Sequence, residues 1–162
     1  ANVFKPQKFI LVPIKSAISE KKLFNSLFPN SKLVVCNANQ HDKSMAYVIS
    51  LVYFLNLSFI LSLDKIPHLK DISGTSFTIQ YLLASGILHD SPEVISSLQM
   101  SNEQFNQVLL NFTSNVNSIE NLIAKNDTDQ FIKIIKKVKK QIISNKKSYD
   151  DLYQLVNSID SF

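Results

Sequence analysis

The sequence predicts a mainly α-helical protein that opens with a short parallel βαβ unit. Two apolar runs near the N-terminus, KFILVP at 8–13 and KLVVC at 32–36, flank a helix-patterned stretch. From His41 onward the apolar residues recur in steps of three and four, the period of a helix. The longest of these segments, HDKSMAYVISLVYFLNLSFILSL at 41–63, has no charge between Ser44 and Leu63.

Composition bounds the class. The chain has 162 residues, 45% of them hydrophobic and 10% aromatic, enough to bury a core and too apolar for a disordered chain. Net charge is +4, but all 17 basic residues are lysine. Bidentate recognition of phosphate or carboxylate favours arginine, so the balance argues against a nucleic-acid partner. The lone Cys36 allows no intrachain disulfide and no multi-cysteine zinc site, and it reads as a buried thiol in a strand. That usage, and a start at Ala1 without the apolar core of a signal peptide, lead to the expectation of a cytoplasmic protein.

In chain order, KFILVP is a continuous apolar run stopped by Pro13 and reads as a short buried strand. Ser16 to Phe28 reads as a helix with Ile18, Leu23, Phe24 and Leu27 on one face, ended by Pro29–Asn30. KLVVC is the second buried strand. A strand, a helix and a strand in so short a span make parallel strands with a crossover. Parallel strands are normally covered on both faces and belong to larger sheets. No later segment reads as a strand, so the unit looks like the edge of a sheet whose remainder lies outside this chain. This divides the chain into a βαβ remnant, 1–38, and a helical domain, 39–162.

Residues 44–63 satisfy the length rule for a membrane span, about 20 apolar residues. Ser44, Ser50, Asn56, Ser58 and Ser62 lie within it, and polar groups facing lipid are costly. A helix apolar on all sides can instead be the central helix of a soluble core or of a subunit interface. The polar pair His41 and Asp42 is expected at the helix start, where both side chains can satisfy free N–H groups.

Pro67 to Asp71 reads as a loop and Ser73 to His89 as a second buried helix. Gly86 either allows close backbone approach or ends that helix near Leu88. Ser91–Pro92–Glu93 is a helix start, with Ser as N-cap and Pro at the first position, and the helix runs to about Met100. Ser101 is expected to open the next helix, with Gln104 at capping-box spacing. Phe105, Val108, Leu109, Phe112, Val116, Ile119, Leu122 and Ile123 form its stripe. Asp127 caps the following segment, where Phe131, Ile134, Ile135, Val138 and Ile142 form a stripe. Five lysines between Lys133 and Lys140 fill a solvated face or one meeting an acidic partner or membrane surface. Leu152, Leu155, Val156 and Ile159 continue the pattern.

The chain has no GxGxxG, no P-loop, no HExxH and no nucleophile elbow. His41, His68 and His89 are scattered, with no metal-ligand spacing. No catalytic or metal-binding residue is assigned within the chain.

The order of these elements and several strings resemble prephenate dehydrogenases, particularly the archaeal-type enzymes. NQHDKSMAYVISLVYF resembles the family's EHDxxMAxVQxLxHF helix at His41, Asp42, Met45, Ala46, Val48, Leu51 and Phe54. SPEVISSLQMSN resembles its NPxLYADIQMxN segment at Pro92, Gln99, Met100 and Asn102. KFILVPI, a helix and KLVVC resemble the end of its nucleotide-binding domain. The resemblance implies a two-domain enzyme. A Rossmann domain would bind NAD or NADP, and a helical C-terminal domain would form a homodimer and close the cleft over a small-molecule substrate. The implied reaction is oxidative decarboxylation of prephenate or arogenate in tyrosine synthesis. The proton-accepting histidine and the dinucleotide loop would both lie upstream, so this chain alone would be inactive.

The resemblance places Tyr53, Gly86 and Gln99 at the substrate pocket. Two positions depart from the family pattern. Tyr53 stands where the family has a histidine, and it does not titrate near neutral pH. A substrate-binding arginine near Gly86 has no counterpart. A non-catalytic dimeric or effector-binding relative, and a protein with one membrane span at 44–63, are the alternative readings.

Overall fold

The computed structural model describes residues 7–63, 69, 71–141 and 146–158. Strands β1 (Lys8–Leu11) and β2 (Lys32–Val35) pair in parallel, with Lys8 opposite Lys32 and Leu11 opposite Val35. Helix α1 (Ala17–Leu27) is the crossover. Phe9, Phe24 and Phe28 hold it to the sheet, their ring centroids 5.1–5.2 Å apart.

The strands are covered on that one side only. Ile10 and Val34, on the far face, are exposed, and so are Ile18, Leu23 and Leu27 on α1. The expected buried strands and the expected α1 stripe are corrected accordingly. One crossover helix covers one face of a two-stranded sheet, and only Phe24 of the stripe meets it. Cys36 lies one residue past β2, half-buried, its N–H donating to the Leu11 carbonyl at 3.1 Å.

The long helix runs as α2 (Ala38–Met45), a π turn (Ala46–Leu51) and α3 (Val52–Leu61). Its cap is Asn37, not the His41–Asp42 pair. The Asn37 side chain accepts from the Gln40 N–H at 2.9 Å, and Gln40 accepts from the Asn37 N–H at 3.1 Å. His41 and Asp42 therefore stand in the second turn, where backbone N–H groups already have helical partners.

By length and composition this helix could cross a membrane: it has 24 residues, and an 18-residue stretch of it has a mean hydropathy of 1.9. In the fold one side packs against the helices that follow. The expectation of burial on all sides is not met within a single chain. Ala46, Ser50 and Asn56 are buried, while Tyr47, Val48 and Leu61 are 54–77% exposed.

Helix α4 (Thr75–Ile87) packs on α3 through Phe59, Phe77 and Tyr81. Helix α5 (Pro92–Met100) starts as expected, the Ser91 hydroxyl accepting from the Val94 N–H. Helix α6 (Gln104–Ala124) does not start at Ser101, which instead closes α5. The Asn102 side chain accepts from the Gln104 N–H at 3.0 Å and supplants the expected capping box. Asn126, at φ 52°, turns the chain out of α6, as asparagine tolerates. Asp127 then accepts from the Gln130 N–H and opens α7 (Thr128–Gln141), and α8 is Lys146–Asn157. The loop read at 67–71 falls largely outside the described residues, and Ile142 and Ile159 fall wholly outside them.

The core gathers at the π turn. Ala46, Phe105 and Val108 are buried, with Leu51, Phe54 and Leu109 against them. Phe54 meets Phe105 and Phe112 edge-on. Only the first half of the α6 stripe is buried this way; Val116, Ile119 and Ile123 are exposed.

Between α3 and α4 the contact is polar at one point. Asn56, 2% exposed, donates to the Val52 carbonyl at 2.7 Å and accepts from Gln80 Nε2 at 2.9 Å. Leucine at 56 would leave the Gln80 amide without its acceptor. Asn56→Leu should lower the unfolding free energy by about 1–3 kcal/mol in urea titration, and adding Gln80→Leu should recover most of it.

Candidate functional site

Tyr53 is one turn beyond Ser50 on the side of the long helix that meets α4 and α5. Its hydroxyl donates to Asp90 Oδ2 at 2.5 Å. Asp90 lies in the short turn between α4 and α5. That turn is shaped by N–H bonds from His89 to the Gly86 carbonyl and from Asp90 to the Ile87 carbonyl. Gly86 thus belongs to the bend that delivers Asp90 to Tyr53. A Cβ at Gly86 would meet nothing within 4 Å, so close backbone approach is not its role.

Helix α5 is clamped to the π turn by a reciprocal pair. The Ser50 hydroxyl donates to the Leu98 carbonyl at 2.9 Å, and Gln99 Nε2 donates to the Ser50 carbonyl at 3.1 Å. The Gln99 amide is therefore directed at the backbone and fixes α5. Tyr53 and the bend after Gly86 come together, and Gln99 anchors the helix beside them.

The His41–Asp42 pair belongs elsewhere. His41 Nδ1 lies 3.0 Å from Asp42 Oδ1. Both line a cleft of about 460 Å³ with Met45, Ile49, Ser97, Leu98, Ser101, Asn102, Glu103 and Gln104. Asn102 ties its two walls, donating to the Asp42 carbonyl at 2.8 Å. Tyr53, Gly86 and Gln99 do not line this cleft.

Sequence reasoning assigns no role to Asp90 or Ser50, and it marks Asn102 only as a match to the family pattern, without its contact to the Asp42 carbonyl. An acid between a helix end and the next N-cap carries no periodic signal. Ser50 and Asn102 act through backbone carbonyls far away in sequence, which no local pattern encodes.

The electrostatics around Tyr53 are one-sided. The hydrogen bond to the Asp90 carboxylate, partial burial and the carboxylate's charge hold the phenol above its ordinary 10.0. Neither α3 nor α4 carries a charged side chain, and Glu93 is the one on α5. Backbone N–H and Ser91 hydrogen bonds keep Glu93 ionised to lower pH.

The turn after β1, where a parallel strand feeds a helix, does not fit a dinucleotide phosphate. The Glu20 carboxylate already fills it, accepting from the N–H groups of Lys15 at 2.8 Å, Ser16 at 2.9 Å and Ile14 at 3.2 Å. The turn holds no glycine, and the chain's two glycines lie elsewhere.

A helical domain built on one long, half-covered apolar helix, and preceded by a two-stranded parallel βαβ unit, is the class that the fold defines. The chain matches the family described as prephenate dehydrogenase, dimerization domain, over residues 37–137. It belongs to that family. It is 22% identical over 131 residues to a probable arogenate/prephenate dehydrogenase of Methanocaldococcus jannaschii. That match covers 78% of this chain and 29% of the relative. Among solved structures it is similar to prephenate dehydrogenase from A. aeolicus in complex with hydroxyphenyl propionate and NAD+. There the TM-score is 0.64 and the identity 19%, over 83% of this chain and 48% of that one. It is also similar to Synechocystis arogenate dehydrogenase, with a TM-score of 0.63 and 14% identity over 88% of this chain and 52% of that one. These two likenesses show the fold. The chain spans about half the length of each solved relative and less of the curated one.

Two titrations check this geometry. Absorbance titration of the phenols should show Tyr53 ionising above its ordinary 10.0, and Asp90→Asn should bring that component down. Backbone hydrogen bonds hold Glu20 below its ordinary 4.5. Its contribution to stability is thus full above the unfolded value and is lost as pH falls through the folded one. Melting curves of Glu20→Gln should therefore fall less steeply with acidification than those of the native chain.

Proposed function

We propose that this chain is the C-terminal part of an NAD(P)-dependent dehydrogenase that oxidatively decarboxylates prephenate or arogenate in tyrosine biosynthesis. The family match over 37–137 carries this reading. The joining of Tyr53 to the α4–α5 bend supports it, because both are positions that the resemblance places at the substrate. Residues 1–38 are the edge of the nucleotide-binding domain and 39–162 the helical domain. The protein is a homodimer, and the exposed face of the long helix, with Tyr47, Val48 and Leu61, is the surface a second copy covers. It works in the cytoplasm. NAD or NADP is held mainly by a domain outside this chain: Glu20 occupies the turn after β1, and neither that turn nor the one after β2 holds a glycine. Within the chain, Tyr53 and Asp90 shape the substrate side, Gln99 fixes α5 against the long helix, and no residue takes the reacting proton.

A non-catalytic relative with the same scaffold is the second reading. The lack of arginine and the engagement of Tyr53 by Asp90 favour it. The full-length protein separates the two. Reduction of NAD or NADP on addition of prephenate or arogenate is the expected result. A dimer that turns over neither substrate with either cofactor would establish the non-catalytic scaffold instead.

A further inference from the structure

We infer that Asn102 is a positioning residue. Through the Asp42 carbonyl it holds the first part of the long helix against α5, the helix whose other end brings Asp90 to Tyr53. This rests on the dehydrogenase reading above. In that reading the cofactor and the substrate are presented by different ends of one path through the chain. Asn37 caps α2 just after β2 ends, so the nucleotide-binding edge runs directly into the long helix. Tyr53, on the substrate side, lies further along that helix, in α3. The rotation and spacing between these two ends decide how the hydride donor and acceptor meet.

Polar contacts fasten α5 to the long helix along its whole length. Asp90, just before the α5 N-cap, accepts from Tyr53. Leu98 and Gln99 meet Ser50. Asn102, just past the end of α5, donates to the Asp42 carbonyl at 2.8 Å. No α5 residue is buried, and Val94 and Met100 are 47% and 81% exposed. With so little apolar packing, the hydrogen bonds decide where α5 lies on the long helix. The stretch from Asp42 to Tyr53 includes the π turn, whose wider hydrogen-bond spacing changes the rotation between the residues before it and those after it. Asn102 grips the helix before that turn and Gln99 grips it within the turn, so the two bonds together fix the rotation. Beside Asn102 the walls part. The cleft of about 460 Å³ lies between His41, Asp42 and Met45 on one side and Ser97, Leu98 and Ser101 on the other. That open space leaves the Asn102 bond without a packed substitute. The same amide also accepts from the Gln104 N–H at 3.0 Å, so its two ends serve separate tasks: the oxygen opens α6 and the nitrogen holds α2.

The two tasks can be separated in the full-length protein. Asn102→Asp keeps an acceptor for α6 and loses the donor. Asn102→Ser also keeps an acceptor, on a side chain too short to reach Asp42. Each variant should lower kcat by about tenfold while KM for cofactor and for substrate stays within about twofold, because hydride transfer needs closely aligned atoms. The primary deuterium isotope effect on kcat, with the hydride-donating carbon of the substrate labelled, should rise as that transfer becomes the slower step. A bond that only supports the fold would lower the melting temperature and leave the isotope effect where it is. Unchanged kcat and isotope effect in both variants would overturn the assignment. So would a loss confined to Asn102→Asp, which would trace to the added charge. A raised KM with kcat retained would make Asn102 a binding residue and overturn it as well. A native protein that turns over neither prephenate nor arogenate would instead remove the dehydrogenase reading, and this inference with it.

Discussion

Asn56 is almost wholly buried in a largely apolar helix; its amide N–H bonds back to Val52, and its amide oxygen must be answered from outside that helix. Gln80 answers it from α4. Six residues earlier on the same long helix, Ser50 makes a similar demand and is answered from α5 by Leu98 and Gln99. Burying such groups without partners would cost more than the bonds themselves contribute. The two contacts therefore fix which face of the long helix meets α4 and α5. Apolar packing alone, on a helix with apolar residues all round, would leave that rotation loosely specified. With the rotation fixed, Tyr53 arrives at Asp90, and Tyr47 and Val48 are left outside.

That leaves a helix half-covered by its own chain. The same is true of the sheet edge, where Ile10 and Val34 face outward, and of the second half of α6. Exposed apolar surface on this scale marks surfaces of interaction. Membership of a dimerization-domain family gives the helical surfaces a natural cover in a second copy. The far face of the sheet edge is of a different kind: parallel strands are normally covered on both sides, and here one crossover helix supplies one side.

Much of the fold was legible in the sequence. The two strands, the crossover and most helices follow from periodicity and end signals. Ser91–Pro92 and Asp127 mark helix starts that the structure keeps. The errors share a cause. His41–Asp42 and Ser101 were read as caps from residue type, but Asn37 and Asn102 do that work, because capping depends on which side chain reaches which free N–H. The α1 stripe had the right period, but period does not say whether a neighbour exists to cover it. At the site, Tyr53 was found through its place in a longer pattern. Asp90 was not, since its role arises only where the α4–α5 bend meets α3, 37 residues from Tyr53 in sequence.

The central claim is that the open face of the long helix is closed by a second copy of the protein. Sedimentation equilibrium of the full-length protein in detergent-free buffer tests it most directly. The account predicts a soluble dimer that aspartate at Val48 shifts toward monomer. A stable native monomer, or a protein recovered only with detergent, would contradict it.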